Sequence, residues 1–183
     1  MAKIVIGVCG GIAAYKALDL INALRRGGHE VQSVMTPSAR DFVTELSLAT
    51  LSGAPVVTSL DERDGTVTHV ELGRWADLMV VCPLTATTLA RLVSGDASTA
   101  LSAALLAYPR GKPLVLAPAM NDQMWAHPAT VRNMALLYDF DLNLHVVGPR
   151  NGRLACGGRG VGALARVEDI EAAITQSLWL GAS

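Results

Sequence analysis

The chain has 183 residues, 51% of them hydrophobic but only 4% aromatic, and it balances 15 basic against 16 acidic side chains. That length suits one domain with a substantial core of Ala, Val, Leu and Ile, and the absence of a basic block or stripe argues against a nucleic-acid partner. Cys9, Cys82 and Cys156 form no CxxC or Cys/His pattern, so neither a disulfide framework nor a metal site is expected.

In chain order, apolar β-type runs alternate with helical patterns. The opening "MAKIVIGVCGG" is too short for a membrane span and lacks a signal-peptide cleavage pattern, so a cytoplasmic protein off the membrane is expected. Residues 3–9 predict a strand and 12–28 a helix stopped by Gly27-Gly28. A second strand follows over 30–36 and a helix over 39–53. Residues 76–83 predict a buried strand, followed by helices over 85–95 and 98–108. A strand over 112–118, a helix over 128–140, a strand over 143–149 and a helix over 167–180 complete the chain. Strands apolar at nearly every position need cover on both faces. With helices between them, the expected fold is α/β: one domain, 1–183, with a doubly wound parallel sheet of Rossmann type. The glycine-rich segment "PRNGRLACGGRGVGALAR" (149–166) is expected to be a long structureless loop with a functional role.

Ligands of such sheets bind outside the carboxyl ends of the strands. Four notable stretches fall there: "CGGIAA", "MTPSA", "CPLTATT" and "APAMN". Gly10-Gly11 stands at a strand-to-helix turn, where a bare backbone and a helix N-terminus can receive phosphate. This is not a GxGxxG fingerprint. The second strand ends in Thr36 and Ser38, where a dinucleotide site would want a ribose-binding carboxylate. Hydroxyls donate to phosphate and a carboxylate repels it, which favours a mononucleotide such as FMN over NAD. A tight turn with a helix cap at Ser38 is the plainer alternative. In "APAMNDQMW", soft side chains surround Asn121, as a pocket floor or as an anchored helix start.

The stretches "GGIAAYKA", "HVELGRWADL", "CPLTATTLA", "APAMNDQMW" and "ACGGRGVG", in this order, resemble the homo-oligomeric flavin-containing cysteine decarboxylases. That family includes phosphopantothenoylcysteine decarboxylase and the decarboxylases of C-terminal cysteines in ribosomally made peptides. The resemblance runs from about residue 3 to 175, with PAMNxxMW its most specific motif. It implies a flavodoxin-like subunit that binds FMN rather than FAD. The flavin would lie against Gly10, Gly11, Ile12 and Ala13, then Thr36, Ser38 and Phe42, then Pro83, Leu84, Thr85, Ala86 and Thr88, and Met120. It further implies sites formed between subunits of a trimer, which can assemble into dodecamers. His69 would be the catalytic residue, Asn121 the grip on the substrate carboxylate, and Cys156 the reductant of the intermediate in the coenzyme A branch. Met124 and Trp125 would complete the substrate pocket.

The residue types suit that chemistry. A cysteine carboxylate loses CO2 only when the carbanion left behind can delocalise. Oxidation at the Cβ–S bond would give a thioaldehyde that accepts those electrons. His69 can manage proton or charge balance near neutral pH, Asn121 offers amide donors without adding charge, and the methionines give polarizable walls that suit sulfur. An exposed loop histidine and an incidental loop cysteine are the plainer readings of His69 and Cys156. His29, His127 and His145 read as structural, and Cys9 and Cys82 as small buried strand residues. Departures from the family pattern are "PLTATT", with Thr87 where Asn is usual, "DASTA" after it, and "GVGAL" in place of an Arg-bearing loop end. With these, and with no synthetase half after the decarboxylase-like region, the sequence leans toward a peptidyl-cysteine decarboxylase acting on a precursor peptide and giving an aminoenethiol. A small thiol-carboxylate substrate of coenzyme A biosynthesis, a non-catalytic flavin-binding subunit and a prenyl-FMN synthase relative are the alternatives.

Overall fold

The computed structural model of the chain describes residues 1–60, 68–155 and 157–180. Its centre is a sheet of five parallel strands: β1 (Lys3–Val8), β2 (Glu30–Met35), β3 (Leu78–Leu84), β4 (Leu114–Pro118) and β5 (Leu144–Val146), ordered β2-β1-β3-β4-β5. Ile4 stands opposite Val31 on one side and Leu78 on the other. β3 is buried at every position because it has covered strands on both edges and helices on both faces.

Side chains alternate across β1, so two cores form. Ile4, Ile6 and Val8 enter one, and Val5 and Cys9 the other. The first is closed by α1 (Tyr15–Arg26), α2 (Glu45–Ser52) and α8 (Val167–Leu180), through Leu20, Leu24, Leu48, Ile170 and Ile174. The second is closed by α3 (Thr68–Trp75), α4 (Ala86–Ser94), α5 (Ala100–Leu106) and α7 (Pro128–Tyr138), through Leu72, Leu89, Leu101 and Leu137. Local chemistry sets the helix ends. Thr44 accepts from the Ser47 N–H to start α2, and Gly53 stops it at φ 74°. Thr85 and Gly95 do the same for α4, and a Thr99–Ser102 capping box opens α5.

Most predicted strands and helices are present with ends moved by a few residues, and five segments differ from expectation, the first being the helix expected over 39–53, which is a 3-10 turn (Pro37–Asp41) followed by α2. The helix expected over 12–28 begins as a 3-10 turn, Ile12–Ala14, before α1. "HVELGRW", for which no element is predicted, lies in α3, where adjacent Leu72 and Gly73 are both buried, as strand alternation would not allow. A short α6 (Asp122–Ala126) follows Asn121. The segment 149–166 is not a structureless loop. It forms an antiparallel hairpin of β6 (Arg150–Arg153) and β7 (Arg159–Ala163), with Arg153 opposite Arg159. No helix among the described residues is long and apolar enough to cross a membrane.

Candidate active site

A cleft of about 1250 Å³ opens at the carboxyl ends of the strands. In this strand order the connections reverse beside β1, so the loops after β1 and β3 splay apart and leave room for a ligand. One wall is the loop after β1. A Cβ at Gly10 would lie 2.5 Å from Ser38 Oγ and 2.6 Å from the Ser38 carbonyl carbon. The loops after β1 and β2 therefore touch, and only glycine allows it. Thr36 and Ser38 hydroxyls approach each other at 3.3 Å. Ser38 lies inside the 3-10 turn Pro37–Asp41 and is not its cap; Thr36 holds that position without a side-chain bond to the turn's backbone N–H groups. The third loop is capped by Thr85, and Thr88 Oγ1 accepts from the Cys9 thiol at 3.2 Å.

The floor is the "APAMN" stretch. The Met120 N–H donates to the Gly162 carbonyl at 3.0 Å, so β7 pairs with the segment leaving β4. Asn121 caps α6, its Oδ1 accepting from the Gln123 N–H at 2.9 Å. The cap fixes which end of the amide accepts, its Oδ1. The pocket-floor and helix-start readings of Asn121 thus hold together: it caps a helix and lines the cleft.

The structure gathers most of the predicted residues into this cleft. Gly10, Gly11, Ile12 and Ala13 line it, as do Thr36, Ser38, Pro83, Thr85, Ala86 and Thr88, and Met120, Asn121 and Met124 from the floor. Thr87 lines it too. Three side chains lie elsewhere. Leu84 is wholly buried in the second core, because it is the last inward position of β3. Phe42 is 44% exposed at the end of the 3-10 turn, off the cleft. Trp125 packs on the second core, because one helical step past Met124 turns it to the sheet side. His69 is at the start of α3, with its Nδ1 buried and unpartnered among the described residues, and it does not line the cleft of its own chain. Cys156 lies outside the described residues.

His127 caps α7 through Nδ1, and His145 Nε2 lies 3.3 Å from Asn143 Oδ1. His29 has Nδ1 buried without a partner among the described residues, and burial pushes its pKa down. Burial pushes the Cys82 thiol up to about 12 and also raises Cys9, the latter opposed by its bond to Thr88. Both are protonated, inert strand thiols at neutral pH. Sequence reasoning missed the cations of the cleft: Lys16 and Arg26 on α1, Arg91 on α4, Arg150 and Arg153 on β6, and Arg166 before α8. For Arg150, Arg153 and Arg166 the signal was the absence of any acidic residue between Asp141 and Glu168.

A flavin fits these residues. Backbone and hydroxyl donors of Gly10, Gly11, Thr36 and Ser38 meet there, as a phosphate needs, and Pro83, Ala119 and Met120 offer an apolar surface for a ring. Fold and cleft together define a flavin-binding α/β protein. The Flavoprotein family model matches residues 1–179. Among curated relatives, the coenzyme A biosynthesis bifunctional protein CoaBC of Haemophilus influenzae is 41% identical over 174 residues, covering 94% of this chain and 42% of that protein. The chain thus spans about two fifths of the length of this relative. Among solved structures, a PPC decarboxylase variant complexed with pantothenoylaminoethenethiol superposes with a TM-score of 0.86 at 32% identity, covering 98% of each chain. The FMN-dependent cysteine decarboxylase SpaF gives 0.83 at 30% identity, over 100% of this chain and 98% of its own. The chain belongs to the Flavoprotein family, among the flavin-containing cysteine decarboxylases.

Proposed function

We propose that the chain binds FMN in this cleft and decarboxylates a cysteine carboxylate, with phosphopantothenoylcysteine as its substrate. The observation that carries the reading is that Asn121 lines the same cleft as the Gly10–Ser38 cradle. The bound flavin would supply the two-electron acceptor for the thiol-bearing carbon and, where CO2 alone is lost, would return those two electrons to the decarboxylated product. The protein's residues do the rest. The Asn121 amide donates to the carboxylate and holds it in line with the departing CO2. Met120 and Met124 exclude water beside the sulfur. The cap bond from Gln123 keeps the amide from turning, which lowers the cost of ordering it on binding.

His69 would act as the proton carrier. Its place outside its own chain's cleft is the reason to assign the working form to a homo-oligomer, a trimer or an assembly of trimers, in which α3 of one copy completes the cleft of the next. Mixing His69→Asn and Asn121→Ala subunits, each inactive alone, would restore part of the activity under this reading, and no activity would return if each cleft worked with its own His69.

The substrate is weighed by likeness. The curated relative of coenzyme A biosynthesis stands at 41% identity, and among solved structures the PPC decarboxylase variant stands at 32% against 30% for SpaF, which supports the coenzyme A substrate over the peptide. The peptide reading keeps one support, Thr87 on the cleft in place of the usual Asn. Mass spectrometry of the flavin-loaded protein with phosphopantothenoylcysteine and a Cys-terminated peptide side by side decides the matter. Loss of CO2 from the first supports the proposal. Loss of CO2 and two hydrogens from the peptide alone reverses the substrate, and no loss from either leaves a flavin-binding subunit.

A further inference from the structure

We propose that Arg153 and Arg166 form an anion subsite at the hairpin end of the cleft, taking a phosphate monoester that the substrate carries away from its reacting cysteine. This rests on the decarboxylase reading above and adds the residues that select the substrate.

The charge pattern comes first. From Asp141 to Glu168 the chain carries Arg150, Arg153, Arg159 and Arg166 and no acidic residue, within a protein of net charge -1. The hairpin then concentrates these charges. Its register sets Arg153 directly opposite Arg159, and like charges directly opposite in a ladder are unfavourable. The ion pairs among the described residues join Lys16 to Asp19, Arg40 to Glu45, Arg74 to Glu71 and Arg91 to Asp96, so none relieves the hairpin. Asp122 comes close to the hairpin at Gly160 without pairing with an arginine.

Arg166 breaks a second local rule. Its carbonyl accepts from the Asp169 and Ile170 N–H groups at 3.1 Å each, so it opens the 14-residue α8. That end of a helix carries partial positive charge and prefers Ser, Thr, Asp or Asn. Glu168 and Asp169 offset part of the conflict. Places where several local rules fail together are where function is expected.

Arg150 is different. Its Nε donates to the Leu164 carbonyl at 2.9 Å and clasps the hairpin base. Arg153 and Arg166 are exposed and line the same cleft as Asn121, whose neighbours Met120 and Asp122 are the residues the hairpin touches. A substrate gripped at its carboxylate by Asn121 therefore runs along the hairpin. The planar guanidinium fork matches phosphate oxygens two at a time. The flavin's own phosphate is the other source of the same chemistry, but it has its cradle at Gly10 and Ser38. Glu168 and Glu171 also line the cleft, as do Lys16, Asp19 and Arg26 of α1, so charges of both signs border its α1 side.

The test compares kcat/KM for phosphopantothenoylcysteine and for its unphosphorylated analogue in the wild type, Arg153→Gln, Arg166→Gln and the double variant. Each single change lowers the ratio of the two values roughly tenfold, through KM rather than kcat. Arg153→Lys restores part of it. Affinities for FMN and riboflavin, titrated by flavin fluorescence, stay as in the wild type and report that the variants are folded. An unchanged ratio in the folded variants overturns the proposal. A loss of FMN but not riboflavin binding also overturns it, by giving these arginines to the flavin phosphate. If the wild type releases no CO2 from either compound, the decarboxylase reading fails instead.

Discussion

The Met120 N–H donates to the Gly162 carbonyl at 3.0 Å, and a Cβ on Gly162 would stand 2.2 Å from the Met120 carbonyl oxygen. The hairpin and the cleft floor are thus joined backbone to backbone, a contact that any side chain at 162 would break. Gly160 repeats the arrangement against Asp122, with 2.9 Å to its Cβ.

Gly162→Ala is expected to destabilise the protein by roughly 1–3 kcal/mol by forcing β7 off the floor, and to lower turnover by misplacing Asn121. Gly158→Ala, which meets nothing within 4 Å, is its control. Thermal melting and turnover, measured together, check the pair. Equal behaviour of the two variants would remove the docking argument.

At the other wall, Gly10→Ala drives a methyl into Ser38, whereas a Cβ at Gly11 meets only Thr85 Cγ2 at 3.7 Å. The first change is expected to weaken FMN binding at least roughly tenfold, the equivalent of one charge-assisted hydrogen bond, and the second to leave it within a few-fold. Fluorescence titration of the flavin-free protein reads both.

Lys112 holds the helix that carries His69. Its Nζ donates to the carbonyls of Gly73 at 3.2 Å, Arg74 at 3.0 Å and Ala76 at 2.6 Å, a cationic cap where the helix dipole favours one. Lys112→Met is expected to cost roughly 1–3 kcal/mol and to lower kcat more than it raises KM, because α3 and His69 lose their seat. Denaturant melts and steady-state kinetics test the two parts. A KM effect alone would show that Lys112 does not position His69.

These contacts separate what the sequence discloses from what it hides. Three of the five strands are the most legible, because Ile4–Val8, Leu78–Leu84 and Leu114–Ala117 are nearly continuous apolar runs, and two-sided burial demands such runs. The hairpin is not legible. Its strands read RNGR and RGVGA, with Val161 and Ala163 their only apolar side chains, and the hairpin is docked on a floor some forty positions earlier in the chain. The helix α3 is short, has a glycine at 73, and is capped by a lysine 36 residues further on from Ala76. Gly10, Thr36, Thr85 and Asn121 converge because chain order puts each after a strand. Trp125 and Leu84, by contrast, follow the motif in sequence and leave the cleft in space, since a single residue step on a helix or strand changes the face.

The buried thiols give a pH prediction. The folded-state value of Cys82 is raised from 9.0 to about 12, with burial the first cause. The native state holds that proton more tightly than the unfolded chain. The stabilisation is full below pH 9.0 and is lost as pH climbs toward 12. Denaturant-derived stability should therefore fall across that window, with a shallower slope in Cys82→Ala. Cys9 and Cys82 should resist alkylation in the native protein at pH 8.

The most direct measurement is CO2 release from phosphopantothenoylcysteine by the wild type and by Asn121→Ala, both carrying the same measured content of flavin. The account predicts release by the wild type and a loss of at least roughly a hundredfold in the variant, as expected when an oriented donor to the reacting group is removed. Undiminished release by a fully loaded Asn121→Ala protein would contradict it.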